Sequence, residues 1–162
     1  MRTSSNGIKL IKEYESLHDG DLSTIGLQPK MCPVGIWTNG WGNAIVYKGK
    51  FLIGAENKDL AYKTGTVKDE AEADAQLEIN LRKFEKIVLA KLKVPVNQNQ
   101  FDALVSHTYN TGGSDTLFRL INQNAGRDKI YSWFTTRYIK GGGVTLPGLI
   151  RRRRSEAEPF YK

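Results

Sequence analysis

The feature that most constrains the fold is a long helical period over residues 66–92. Apolar residues recur there at spacings of three and four, as on the buried face of an α-helix: Leu77, Leu81, Phe84, Val88 and Leu92. Thr66 is the predicted amino-terminal cap of this helix, and Pro95 marks the end of the run. At about 1.5 Å per residue, such a helix is long enough to connect two lobes.

Downstream of this run, helical stretches alternate with glycine stops. Asn97 and Gln100 predict a capping box before one helix, and Gly112-Gly113 ends that helix. Three further helices are predicted at about 116–123, 129–138 and 149–160. A glycine-rich loop at residues 140–143 precedes the last of them. The carboxy-terminal half is therefore predicted to be an all-helical lobe.

The amino-terminal part predicts a mixture of helix and sheet. Residues 5–15 carry the period of one short helix. Residues 16–51 lose that period and are dense in Gly, Pro, Asn and Asp, which is typical of turns. Short apolar runs at Ile36-Trp37 and at residues 44–47 predict the strands of a small antiparallel sheet. A few short strands are marginally stable alone, so this sheet needs a helix packed against it.

Together these patterns predict an α+β, mainly helical fold in a single domain over residues 1–162. We divide it into a mixed lobe at residues 1–65, a connecting helix at 66–92 and a helical lobe at 93–162. A chain of this length buries enough surface to fold without disulfide bonds.

Composition narrows the function classes. The single cysteine rules out an internal disulfide and a Cys-rich zinc site. The two histidines, His18 and His107, are far apart in sequence, so we expect neither a metal site nor a cofactor. The net charge of +7 predicts attraction to polyanions. Because no nucleic-acid-binding motif accompanies that charge, we expect no nucleic-acid partner.

Hydropathy gives no sign of a membrane protein. No apolar run approaches the roughly 18 residues that a membrane span needs. The amino terminus also lacks the apolar core of a signal peptide. We therefore expect synthesis in the cytoplasm without a signal peptide and no stable membrane anchor.

Residues with potential chemistry concentrate between positions 15 and 43. Glu15 falls at the end of the first predicted helix, where the negative end of the helix dipole disfavours an ionised carboxylate. That environment suits a proton donor. Glycoside hydrolysis needs such a donor and a second group that attacks the sugar or holds a water. Asp19 or Asp21 is a candidate for the second group.

A cysteine nucleophile is the rival interpretation. Cys32 with His18 or His107 would form a thiol-protease dyad. Against this dyad, Pro33 follows the cysteine directly, and no helix start is visible that would activate the thiol. Considered alone, Cys32 fits a buried and inert side chain better than a nucleophile.

Four segments stand in the chain in this order: GIKLIKEYES, CPVGIWTNGWGN, KVPVNQNQFDALVSHTYNTG and LPGLIRRRRSEAEPFY. Together they resemble the phage-type lysozymes, the endolysin muramidases of glycoside hydrolase family 24, over nearly the whole chain. The resemblance implies a lysozyme-like fold with a small β lobe and a larger helical lobe. It also implies cleavage of the β-1,4 bond between N-acetylmuramic acid and N-acetylglucosamine of peptidoglycan glycan strands, with inversion at the anomeric carbon. Endolysins of this kind reach the wall in the periplasm through a holin, and we expect a monomer.

The resemblance also assigns roles to residues. Glu15 matches the family's general acid. Cys32 and Thr38, with five residues between them, match the pair that orients the attacking water. The implied substrate contacts are Tyr109, Asn110 and Thr111.

The last segment contains arginines that the resemblance places behind the catalytic glutamate. Arg151 and Arg152 match these supporting residues. For Arg153 and Arg154 we expect a solvated basic face.

The chain departs from the family pattern near the site. Sixteen residues separate Glu15 from Cys32, a longer connection than the family has, so Asp19 or Asp21 is an alternative to Cys32. We favour Cys32 because its spacing to Thr38 is kept. Asn43 replaces a histidine at the end of the hairpin and cannot carry its charge. If the longer connection displaced the water-holding pair, the chain would be a catalytically silent wall-binding module on the same fold.

Overall fold

A computed structural model describes residues 1–162 and divides the chain into two compact units. The helical unit consists of Met1–Tyr14 and Leu81–Lys162, and the sheet unit consists of Glu15–Asn80. The α+β, mainly helical, lysozyme-like fold is confirmed. The first helix belongs to the helical unit, and not to the mixed lobe predicted for residues 1–65. None of the helices is both long enough and apolar enough to cross a membrane.

Seven α-helices are present: α1 Ser5–Tyr14, α2 Lys58–Gly65, α3 Glu70–Lys91, α4 Gln98–Thr111, α5 Asp115–Asn122, α6 Arg127–Thr136 and α7 Pro147–Phe160. A short 3-10 helix at Ala55–Asn57 leads into α2. The predicted cap of α4 is confirmed, because Asn97 and Gln100 form a capping box. Gly112 ends α4 with a positive φ of 80°, as its position predicts.

The start of α3 differs from the predicted one. Thr66 does not cap this helix, because its hydroxyl donates to the carbonyl oxygen of Tyr62 and it ends α2. The capping oxygen is Asp69 Oδ1, which accepts a hydrogen bond of 2.9 Å from the backbone N–H of Glu72. The helix therefore begins at Glu70, and its cap lies three residues later than the predicted one.

The helical unit is built around α4, which is buried along Phe101–Thr108. Helices α1 and α7 both pack against it. Asp102 of α4 accepts hydrogen bonds from the backbone N–H and the hydroxyl of Ser4, and so ties down the start of α1. A Cβ at Gly7 would lie 2.7 Å from the Asp102 side chain, so only glycine allows α1 to approach α4 this closely.

A buried ion cluster joins α7 to α4. Arg153 lies 2.9 Å from Glu156, and the Nε of Arg152 lies 3.2 Å from the same carboxylate, which also accepts a hydrogen bond from Ser106. Our expectation that Arg153 would be solvated is wrong, because it is fully buried. Burial raises the pKa of Glu156 and lowers that of Arg153, since the interior disfavours both charged forms, while the attraction between them opposes each shift.

The sheet unit contains two small antiparallel sheets. The first has three strands in the order β1 Lys30–Met31, β2 Trp37–Asn39 and β3 Asn43–Ala44. The second is a hairpin of β4 Val46–Tyr47 and β5 Lys50–Phe51. Helix α2 supplies the packing that such short strands need, in a core of Trp37, Ile45, Leu52 and Ala61.

A third small sheet lies in the helical unit, at the glycine-rich segment predicted to be a loop. Strands β6 Lys140–Gly141 and β7 Val144–Thr145 pair across a two-residue turn. The turn residues Gly142 and Gly143 have φ angles of 57° and 82°, which glycine adopts without strain.

The buried cluster predicts a large effect of one substitution. Glu156→Gln should lower the free energy of unfolding by about 3–5 kcal/mol, because it leaves two buried guanidinium groups without a counter-charge. Glu158→Gln, at an exposed position of the same helix, should change it by less than about 0.5 kcal/mol. Denaturant unfolding followed by circular dichroism measures both values. Equal stability losses for the two variants would contradict this account of the cluster.

Candidate active site

The β2–β3 hairpin carries Thr38 and the turn next to Glu15 in the candidate site. All three residues of β2 are buried, including Thr38 at 7% exposure. Asn39 pairs with Asn43 across a tight turn in which Gly40 and Gly42 have φ angles of 49° and 81°. These positive angles are where glycine is required. The glycine-rich sequence of this segment is therefore what bends β2 back into β3.

The Thr38 hydroxyl has two partners at its own end of the hairpin. Lys30 of β1 pairs with Thr38 in the sheet register, and Thr38 Oγ1 donates to the carbonyl oxygen of Lys30 at 2.9 Å. The ring nitrogen Nδ1 of His18 lies 2.7 Å from the same Oγ1. Both geometries are within the range of good hydrogen bonds.

His18 is fixed by its backbone as well as by its ring. Its N–H donates to the carbonyl oxygen of Gly40 at 2.8 Å, which ties the chain after α1 to the turn of the hairpin. Burial lowers the pKa of His18 below its ordinary value of 6.5, and the charge of Lys30 adds to that effect. Hydrogen bonding to the backbone of Thr38 and the charge of Glu15 act in the opposite direction.

Glu15 follows the last residue of α1 directly and is partly buried. Its carboxylate lies over the turn of the hairpin. A Cβ placed on Gly42 would lie 3.3 Å from Glu15 Oε2, tighter than most Cβ contacts. The structure therefore brings Glu15, His18 and Thr38 together around one hairpin of the sheet unit.

Cys32 lies in the turn that joins β1 to β2 and is partly exposed. Its N–H donates to Ile36 at 2.8 Å, and its carbonyl oxygen accepts from Gly35 at 2.8 Å. Cys32 directly follows β1, in which Lys30 pairs with Thr38. The His18 ring does not form the predicted dyad with Cys32, because its Nδ1 contacts the Thr38 hydroxyl.

The long connection between Glu15 and Cys32 is a folded loop that uses its own acidic residues. Asp19 accepts hydrogen bonds from the backbone N–H groups of Asp21 and Gln28. Asp21 accepts from Ser23 and Thr24, and these bonds lower its pKa. Asp19 and Asp21 therefore stabilise the loop. No group of three or more His, Cys, Asp or Glu side chains in the chain is placed to hold a metal ion.

The sequence profile of the phage lysozymes matches residues 21–156. The chain belongs to the phage lysozyme family. Cys32 and Thr38 lie inside the matched range, and Glu15 precedes it. An endolysin of Lactococcus phage c2 is 32% identical over 163 residues, which cover all of this chain and 61% of that relative. The chain thus spans about three fifths of the length of the Lactococcus phage endolysins that it matches.

Solved structures of lysozymes and muramidases share the fold. An endolysin of the Escherichia coli phage FAHEc1 superposes with a TM-score of 0.74 at 28% identity, covering 99% of this chain and 93% of that one. The muramidase domain of SpmX from Asticaccaulis excentricus superposes with a TM-score of 0.73, also at 28% identity, covering 99% and 98%.

Asn43 is part of a chain of side-chain amides. Asn39 donates to the carbonyl oxygen of Gly65 at 2.7 Å and accepts from Asn43 at 3.3 Å. Asn80 of α3 donates to Asn43 at 3.1 Å. These amides fix β2 and β3 to α2 and α3 within the sheet unit. Since amides do not titrate, this support is the same at every working pH.

The predicted substrate contacts lie at the end of α4 in the helical unit. Asn110 is exposed, and its Oδ1 accepts a hydrogen bond of 2.5 Å from the buried Arg153. Tyr109 packs its ring against Phe84, with 5.0 Å between the ring centroids. Thr111 donates to the carbonyl oxygen of His107 at 2.8 Å.

The predicted supporting arginines differ in their surroundings. Arg152 is buried beside Glu156, whereas Arg151 is exposed. His107 is buried among aromatic rings of the same unit. Burial lowers the pKa of His107 to about 3, and the nearby charges of Arg153 and Arg152 contribute to the shift.

Sequence reasoning missed two residues of interest here. The sequence indicates His18 only as a candidate partner of Cys32, and it indicates Arg153 only as a solvated charge. The signal for Arg153 was available, because Arg153 and Glu156 are three residues apart on one helix face. The contact of His18 with Thr38 joins positions twenty residues apart in a loop with no period, so no sequence pattern indicated it.

Proposed function

We propose that this chain is a peptidoglycan hydrolase that cleaves the β-1,4 bond between N-acetylmuramic acid and N-acetylglucosamine with inversion. One observation carries the proposal: in a member of the phage lysozyme family, the carboxylate of Glu15 lies against the hairpin that bears Thr38. An acid on one side of a glycosidic bond and a water-holding group on the other are what an inverting glycosidase needs.

In the proposed reaction Glu15 is the general acid. Its proton passes to the glycosidic oxygen as the bond from that oxygen to the anomeric carbon breaks. A water held by Thr38 and Cys32 adds to the anomeric carbon from the opposite face. The water loses a proton to solvent, and Glu15 regains one from solvent before the next cycle.

The helical unit would supply substrate contacts in this proposal. Tyr109, Asn110 and Thr111 would contact the glycan, and the hydrogen bond from Arg153 supports this for Asn110 because it fixes an exposed amide. Arg152 and Arg151 keep their proposed supporting role. Arg153 is itself held by its ion pair with Glu156. Because the Asn110 amide is therefore already positioned, binding of the glycan would cost little conformational entropy at this residue.

The net positive charge of the chain is consistent with the proposed action on a bacterial cell wall. A net charge of +7 would hold the enzyme on a polyanionic wall. We propose action on the wall in the periplasm, as a monomer, after release from the cytoplasm through a holin. A silent wall-binding module would bind the same surface without releasing reducing ends.

The first test is removal of the acid. Glu15→Gln should lower the release of reducing ends from purified peptidoglycan by at least about 100-fold, because the amide cannot donate the proton. Glu13→Gln, at an exposed position in helix α1 two residues before Glu15, is the matched control and should keep wild-type activity. A wild type that binds peptidoglycan and releases no reducing ends would instead support the silent module.

A second test uses two glycines with similar backbone angles. Gly42 and Gly49 have φ angles of 81° and 78°, but a Cβ meets Glu15 only at Gly42 and meets nothing within 4 Å at Gly49. Both changes to alanine should cost about 1–2 kcal/mol of stability from backbone strain. Only Gly42→Ala should also lower kcat, by about tenfold or more, because it displaces the acid. Thermal unfolding and turbidity assays give the two values, and equal activities would count against the proposed position of Glu15.

A further inference from the structure

The hydrogen bonds at Thr38 determine where the protons lie. A hydroxyl has one proton to donate and two lone pairs that accept. Thr38 Oγ1 lies 2.9 Å from a carbonyl oxygen of Lys30, which only accepts, so the hydroxyl proton lies between these two atoms. In that arrangement His18 Nδ1, 2.7 Å from Oγ1, is the donor of the second hydrogen bond. His18 therefore carries its proton on Nδ1.

This arrangement leaves the Thr38 oxygen with one free lone pair. The other lone pair accepts the proton of His18 Nδ1, and the hydroxyl proton is donated to the Lys30 carbonyl oxygen. The oxygen is thus unable to donate to a water and can only accept from one. A water that gives a hydrogen bond to Oγ1 keeps its own lone pair for a carbon atom, which is the orientation that nucleophilic addition requires.

We propose that His18 is a positioning residue for the hydrolytic water, acting through the Thr38 hydroxyl. This inference rests on the proposed glycoside hydrolysis. The hydrogen bond from His18 leaves the Thr38 hydroxyl able to accept from a water but unable to donate to it. The backbone hydrogen bond from His18 to Gly40 keeps the ring at the hairpin. Cys32, at the second proposed water-holding position, has a thiol and not a carboxylate, which makes this placement of the Thr38 oxygen more important.

Protonation of His18 does not remove the proposed bond. Nδ1 carries a proton in the neutral tautomer assigned here and also in the cation, so the donor to Thr38 persists in both. The charged groups that face the ring are Glu15 and Lys30. A positioning role therefore predicts no loss of kcat from titration of His18, whereas a general base at His18 would lose activity as the ring protonates.

Asparagine at position 18 separates the two roles, because its Nδ2 can donate from about the place of His Nδ1 and it does not titrate. His18→Ala should lower kcat about 10–100-fold with KM changed less than about twofold. His18→Asn should recover most of that loss and keep the pH profile of the wild type. Thermal unfolding of each variant checks the fold. An inactive His18→Asn that folds normally would overturn the positioning role in favour of a base.

A double-mutant cycle tests whether His18 acts through Thr38. In a Thr38→Val background, which keeps the shape and removes the hydroxyl, His18→Ala should cost little further kcat. Independent, multiplying losses would overturn the proposal.

The tautomer of His18 can be determined by a measurement that does not depend on enzymatic activity. Nitrogen-15 NMR of the wild-type histidine ring should show His18 protonated on Nδ1 at neutral pH, and a proton on Nε2 instead would overturn the assignment. A wild type that releases no reducing ends would refute hydrolysis, and with it any role of His18 in the reaction. An active wild type with a fully active His18→Ala would refute only the role of His18.

Discussion

The proposed site depends on the hydrogen bonds that converge on the Thr38 hydroxyl. The β1–β2 register sets Lys30 opposite Thr38, and the chain that leaves α1 returns to the same point through His18. Two contacts of His18, one from the ring and one from the backbone, fix the segment that begins with Glu15 to the hairpin. Without them, the proposed acid would sit on an unsupported connection between a helix end and a long loop.

The helical unit depends on a different constraint, a buried charge cluster with two guanidinium groups and one carboxylate. Glu156 is shared by Arg152 and Arg153, and Ser106 supplies a further hydrogen bond to it. Such clusters cost desolvation energy and seldom raise stability over an apolar core. At its surface end, the cluster is linked to the proposed substrate contacts, because Arg153 donates to the exposed amide of Asn110.

The sequence predicted what short-range patterns control and missed what long-range contacts control. The α4 cap followed from Asn97 and Gln100, because both ends of that interaction are three residues apart. The α3 start was misplaced because Thr66 and Asp69 are both good caps, and the pairing of Leu27 with Val67 holds the segment before Asp69 extended. The relation of His18 to Thr38 needed the fold itself, since it depends on the path of the loop between them.

The central claim is that the site holds a water opposite an acid and uses no covalent intermediate. Proton NMR of the first reducing ends released from peptidoglycan by the wild type tests it most directly, since the anomeric configuration is visible before it equilibrates. The account predicts that the α-anomer appears first, because water adds from the face opposite the broken β bond. A β-anomer appearing first would contradict it, because retention requires two successive displacements, in which a nucleophile other than water first bonds to the anomeric carbon.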